Sequence, residues 1–340
     1  MNMKKLLPSL TFLFFIVACT NKDKGPDVSH IKVDIPIERF DTDFFNLDTN
    51  NLAAGLRSLL QAHPDFYTDF MQQVLGVNGS DTDTSTIAVT KFFIRGYSSV
   101  YQDIKKKYND DGWLKKDIEK AFQYVKYYFP DYKSPKVVLF VGPLDAPGVA
   151  LTRSGIAIGL QQFGGKDLPA YQSMEVQQLF PEYISRRFEP QYIVANCMKA
   201  VIEDINSDKS AGKGLIAQMI DKGKQWWLLD KLLPSTPDSI KTGYTQQQLK
   251  WCEKNEGLIW NAVITTEKDL YTTEPQTLQN YLGETPFTQS IGPNSPGNIG
   301  QWIGWQIVKK FAGKNPSMSP DQILKTDAKK ILEEAKYKPK

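Results

Sequence analysis

The chain has 340 residues, a formal net charge of +3 and two histidines. So small a charge leaves no electrostatic footprint for nucleic acid, which needs clustered lysine and arginine to displace counterions. With 41% hydrophobic residues, the length suffices for a sizeable core, built as one large domain or two intimately packed halves.

The chain opens Met1-Asn-Met-Lys4-Lys5 and then runs apolar from Leu6 to Ala18, broken by Pro8, Ser9 and Thr11, up to Ala18-Cys19. A positive start, a short apolar stretch and small residues at its end make an export signal. The stretch is too short to cross about 30 Å of hydrocarbon as a helix. Residues 1–18 therefore read as a lipoprotein signal peptide, and Cys19 as the residue that takes a diacylglycerol on sulfur and an acyl chain on its amine. Two or more chains anchor stably, because each buried CH₂ contributes about 0.8 kcal/mol. The expected location is the cell membrane, lipid-anchored and facing the periplasm. Losing Lys4 and Lys5 lowers the formal charge from +3 to +1. Residues 19–30 are polar, carry Gly25-Pro26 and read as a tether; residues 31–340 read as a single domain.

Within that domain, Ile31, Val33, Ile35 and Ile37 alternate with polar positions, a strand pattern that Pro36 pushes toward a sheet edge. Helices are predicted over 51–62 and 65–76, then a Gly/Ser/Thr/Asp loop over 76–86, then helix over 87–132. The continuous apolar run Val137–Val141 predicts a buried strand. Residues 155–163 predict another, whose Gly155 and Gly159 suggest close backbone approach. From Ser173 the pattern is helical almost to the end, with helices over 190–205 and 213–232. A further helix starts at the capping box Thr245-Gln-Gln-Gln248 and carries Leu249, Cys252, Ile259 and Val263. A loop over 284–297 leads into the helix of Trp302, Ile303, Ile307, Val308 and Phe311. Ser319-Pro320 opens a last one. An oxidising periplasm would let Cys197 and Cys252 pair, but both lie in apolar helical contexts that favour separate buried thiols.

Chemistry is sparse. His30 falls in the tether and His63 in an early helix, and no histidine follows. A His-Glu-x-x-His zinc site needs two imidazoles one helical turn apart and a third ligand. A histidine-dependent triad would have to recruit His63, which in Gln61-Ala-His63-Pro-Asp65 reads instead as a helix-terminus cap. There is no Gly-x-Ser-x-Gly elbow, no Gly-Lys-Ser/Thr phosphate loop and no Gly-x-Gly-x-x-Gly after a strand; Ala211-Gly-Lys-Gly214 lacks a preceding strand. Asp43, Glu182, Glu189, Glu203, Asp204, Glu253 and Glu256 leave paired-acid chemistry open, with solvated helix faces the simpler reading. Trp226, Trp227, Trp251, Trp260, Trp302 and Trp305 read as core of the helical half before they read as stacking platforms for sugar or peptide. No catalytic residue, metal or cofactor is expected. The best candidate for a binding surface is the long loop before a helix N-terminus, with Pro286, Phe287, Thr288, Ser295, Pro296 and Gly297.

Several motifs are long and unusual: Arg39-Phe-Asp-x-Asp-Phe-Phe45, Lys126-Tyr-Tyr-Phe-Pro130, Gly243-Tyr-Thr-x-x-Gln-Leu-x-Trp-Cys-Glu-x-Asn-Glu256 and Ser295-Pro-Gly-x-Ile-Gly-x-Trp-Ile-Gly-Trp-Gln-Ile-Val308. In this order they resemble the gliding-motility lipoprotein GldB family, with Cys19 in the expected place. The resemblance implies a lipid-anchored cell-envelope protein of a gliding and associated secretion machine. It would work by binding other envelope proteins of that machine, without catalysis. An envelope hydrolase with an atypical site and a solute-binding lipoprotein are the alternatives. That family is in turn distantly similar to predicted zinc proteases with His-Glu-x-x-His on one helix and a Glu-Gly pair on a later one. Here the first segment, Phe188–Cys197, has no histidine, and the later Met219–Lys224 sets a lysine beside the glycine. A protonated lysine cannot ligate zinc. The expected fold is α+β, predominantly helical with a small mixed sheet of 31–37, 137–141 and 155–161, on a degenerate zincin-like scaffold.

Overall fold

A computed structural model describes residues 25–266 and 270–339; Cys19 and the leader lie outside the described residues. Val137 to Val141 are all buried, which demands apolar cover on both faces of the strand they form. That strand belongs to a four-stranded mixed sheet of β1 (Ile37–Glu38), β2 (Val137–Phe140), β3 (Val149–Thr152) and β4 (Gly155–Gly159), ordered β1-β2-β4-β3. β1 and β4 run parallel to β2, and β3 runs antiparallel to β4. Alternation along the strands separates two cores. Val137, Leu139, Ile156 and Ile158 face the larger, and Val138, Phe140 and Ala157 the smaller.

The first strand is far shorter than its alternating pattern suggests. Before Ile37 the backbone is held by side chains of a helix: Ile35 N–H donates to Glu119 Oε1 (3.1 Å), and Gln123 Nε2 donates to the Ile31 carbonyl (2.9 Å). Pro36 has no N–H to give a ladder, but its carbonyl accepts Val137 N–H at 2.9 Å, so the chain joins the sheet at its edge only there. The edge strand β3, in turn, has no counterpart in the predicted elements. Close approach at Gly155 is real: it has φ +129°, and a Cβ there would lie 2.2 Å from the Lys136 carbonyl oxygen.

Over the smaller core lie α1 (Phe40–Phe45), α2 (Leu52–Ala62) and α3 (Pro64–Asp69), the last running into a π-helical turn over Phe70–Val74. Phe40 packs on Phe66 and Phe70 with centroids 4.9 and 4.8 Å away. The predicted helix over 87–132 is two, α4 (Thr84–Lys107) and α5 (Gly112–Tyr128). Asn109-Asp-Asp-Gly112 breaks it, because Asp110 Oδ1 accepts Gly112 N–H (2.9 Å) in competition with the helical ladder.

The larger core is helical: α6 (Met174–Leu179), α7 (Glu182–Ser185), α8 (Ile193–Ile205), α9 (Leu215–Leu232), α10 (Asp238–Thr242), α11 (Gln246–Lys254), α12 (Glu256–Thr266), α13 (Pro275–Leu282), α14 (Ile299–Lys314), α15 (Pro320–Lys325) and α16 (Ala328–Ala335). The capping boxes at Thr245 and Ser319 form as predicted. The helix begun at Thr245 stops at Asn255, whose Nδ2 folds back on the Trp251 carbonyl (2.7 Å), and α12 restarts it. At the centre α9 and α14 are buried round most of their circumference. Trp226, Trp227, Trp302 and Trp305 fill the space around them. Cys197 and Cys252 are separate buried thiols, and burial pushes the Cys197 thiol up to about 12. No helix among the described residues is long and apolar enough to cross a membrane.

Candidate functional site

The face of α8 opposite its core side carries Asn196, Lys199 and Ala200, spaced so that all three point the same way. They line a groove of about 460 Å³, walled by Gly148 and Val149 at the start of β3, by Gln162 and Phe163 after β4, and by Phe180, Ile184, Phe188 and Tyr192. A smaller cleft adjoins it, sharing Arg187 and Gly243, and is lined by Arg186, Tyr244, Gln248, Glu284, Pro286, Pro296 and Gly297.

Three cations converge here. Arg187 forms a fork with Glu284, at 2.6 and 3.3 Å, and lies across Gly243, the left-handed residue that ends α10 (φ +78°). A Cβ at Gly243 would meet Arg187 Cδ at 2.9 Å. Arg186 donates to the carbonyls of Tyr183 (3.0 Å) and Gly243 (2.9 Å) and to Gln248 Oε1 (3.3 Å), with no carboxylate in ion-pair contact among the described residues. Burial and the neighbouring Arg187 lower its pKa. Lys199 makes no hydrogen bond or ion pair among the described residues. Burial and the Arg187 charge push its ammonium down to about 8.

That depression has a measurable sign. The unfolded lysine, near 10.5, keeps its proton over a range where the folded one has lost it, so through this group stability rises between about pH 8 and 10.5. Urea titrations at about pH 7 and about pH 10 are expected to show Lys199→Met lacking this gain; a wild-type-to-variant difference that does not change with pH would contradict it.

The loop 284–298 is built from within. Thr288 is wholly buried; its hydroxyl donates to the Pro296 carbonyl (2.9 Å) and its N–H to Ser295 Oγ (3.1 Å). Ser295 in turn donates to the Gly292 carbonyl at 2.7 Å, and Tyr244 OH ties Gly297 down at 2.8 Å. Of the six residues marked in the sequence, Pro286, Pro296 and Gly297 line the small cleft. Phe287 is half-buried, and Thr288 and Ser295 hold the loop's shape. Arg186, Arg187 and Lys199 were missed: a twin arginine and one lysine on helix 193–205, which also carries Asn196, Glu203 and Asp204, do not stand out in the sequence.

Other marked residues have separate occupations. His63 caps no helix with its side chain. It is 6% exposed, with Nδ1 3.2 Å from Glu38 and Nε2 2.8 Å from Asp43, and Phe40 packs edge-on against its ring at 5.3 Å. His63 does stand at the helix termini, ending α2 and opening α3, but Glu38 also takes Lys136 Nζ at 2.8 Å, and the imidazole serves this cluster and makes no capping hydrogen bond. Lys224, 4% exposed, links Asp221 (2.7 Å) to the Thr326 carbonyl (2.8 Å), fastening α9 to the end of α15. Glu189, Asp204 and Glu256 accept hydrogen bonds from Lys166 N–H, Tyr132 and Tyr337. Among the described residues no group of three or more His, Cys, Asp or Glu side chains is arranged to hold a metal ion.

No curated protein and no solved structure matches the chain. One family does, described as gliding motility protein GldB, over residues 21–339. With the match covering nearly the whole of it, this chain belongs to the gliding motility protein GldB family.

Proposed function

We propose that the chain serves the gliding-motility machinery as a lipid-anchored docking protein of the cell envelope, facing the periplasm and working without catalysis. The family match across residues 21–339 carries the reading. Motility implies partners in the envelope, and two features supply a surface for them. The loop 284–298 is held rigid by its own hydrogen bonds, so a partner meets a shape that costs little further ordering. Beside it, the guanidinium of Arg187 is partly exposed and paired with an exposed carboxylate, Glu284, an arrangement suited to exchanging ion pairs across an interface.

The non-catalytic part rests on what occupies the segments where a zinc protease would keep its ligands. Lys224 is engaged structurally, and α8 offers asparagine and lysine toward its groove. The anchor rests on Cys19 directly after the apolar leader. A strain carrying Cys19→Ser is expected to shift the protein from the membrane pellet to the soluble fraction and to lose spreading. Unchanged membrane association of that variant would remove the anchor from the account.

A further inference from the structure

We infer that the groove over α8 binds an apolar carboxylate, with Lys199 meeting the charge and the aromatic wall covering the apolar body. This site goes beyond the motility reading and does not depend on it. A groove of about 460 Å³ lies within the size range of small-molecule sites, which are mostly apolar with a few convergent polar groups. Here Phe163, Phe180 and Phe188 form the apolar wall, with Phe180 and Phe188 packed edge to face at 5.1 Å. Lys199 is the charged group on the α8 face of the groove, and it has no counter-ion among the described residues. Desolvating an ammonium without a partner is costly, and an anion in the groove would offset that cost.

The number of charges fixes the class. Arg187 is paired with Glu284 through a two-pronged fork, and Arg186 lines the adjoining cleft and not the groove, which leaves Lys199 as the one cation lining the groove without an ion pair among the described residues. A carboxylate supplies one negative charge, whereas a phosphate near neutral pH carries up to two and asks for several N–H donors. The other polar groups lining the groove include the neutral Asn196 and Gln162, and Gln162 Nε2 is already spent on the Ala146 carbonyl at 2.8 Å. An apolar carboxylate can come from a fatty acid or from the C-terminus of a peptide ending in apolar residues.

The test is calorimetry on the full mature chain carrying Cys19→Ser, which keeps detergent out of the cell. Four probes are titrated at roughly millimolar concentration: octanoate, octanol, acetyl-Phe-Phe with a free C-terminus, and the same peptide amidated. Binding of octanoate alone assigns a fatty acid, of the free peptide alone a chain terminus, and of both the shared chemistry. Octanol and the amide are expected to bind far more weakly. Lys199→Met is expected to lower affinity about 10- to 100-fold, the loss of one charge-assisted hydrogen bond, while Lys199→Arg keeps most of it. Thermal melting confirms that both variants fold, since removing a half-buried unpaired ammonium relieves a cost. No binding of either acid, equal binding of the uncharged partners, or full affinity in Lys199→Met would each overturn the assignment. None of these outcomes bears on motility, which the membrane fractionation and spreading assays read separately.

Discussion

Gly304→Val is expected to remove much or all of the stability of the fold. In α14 a Cβ at Gly304 would stand 1.7 Å from the Met219 carbonyl oxygen in α9, and one at Gly223 would stand 2.1 Å from the Gly304 carbonyl carbon. Both obstacles are backbone, so no rotamer change relieves them; the helices themselves would have to part. Parting them opens the packing of Trp226 on Trp305, whose rings now meet edge to face at 5.8 Å. Ordinary overpacking costs about 1–3 kcal/mol. A backbone collision at the centre of the larger core should exceed about 4 kcal/mol, against a total stability of about 5–15 kcal/mol. The measurement is soluble yield and urea unfolding beside Gly313→Ala, where an added Cβ meets open space on the same helix. The control is expected to gain up to about 1 kcal/mol from helix propensity. A valine variant as stable as the wild type would refute the close crossing.

The second large effect is expected at Lys241, whose side chain is 7% exposed and forms ion pairs with Asp230 and, at 2.7 Å, with Asp238. Asp230 also accepts the Trp305 indole N–H at 2.7 Å, which ties α9, α10 and α14 together. Lys241→Met removes the cation and leaves Asp230 largely buried, and breaking such a pair costs about 3–5 kcal/mol. Asp230→Leu alone should cost less, because Lys241 keeps Asp238, and the double variant should recover much of the loss by making the site apolar. The pH dependence has a definite sign. Burial raises the Asp230 carboxyl above its ordinary value, so the folded state takes up a proton more readily than the unfolded chain. Stability from that proton is present at low pH and lost as pH rises through the folded value. The Lys241→Met deficit should therefore shrink on acidification. Chemical unfolding of the three variants across pH checks it, and a deficit constant with pH would contradict the burial of the charge.

What was legible in the sequence follows from how local its cause is. Val137 to Val141 announced a strand covered on both faces because burial on two sides requires an unbroken apolar run. Thr245 and Ser319 announced helix starts because a capping box is closed within four residues. The tryptophans of α9 and α14 announced a core. Features set by partners distant in sequence were hidden. Ile31 to Ile37 alternates like a strand, yet Glu119 and Gln123 take its backbone. The short edge strand β3 exists by pairing antiparallel with β4 across the turn at Arg153-Ser154, with little signal of its own. His63 stands at the helix terminus the sequence indicated, but its side chain joins Glu38 and Asp43, residues 25 and 20 positions away. The loop 284–298 was recognisable from its length and composition. Its working neighbours Arg186, Arg187 and Lys199 were not, since only the fold brings α7, α8 and the loop to one place.

Membership of the gliding motility protein GldB family ties this chain to gliding, and the speed of individual cells on a surface after deletion of its gene tests that role. Movement is expected to stop and to return when the wild-type chain is supplied from a second locus. Deleted cells that glide at the parental speed would contradict it.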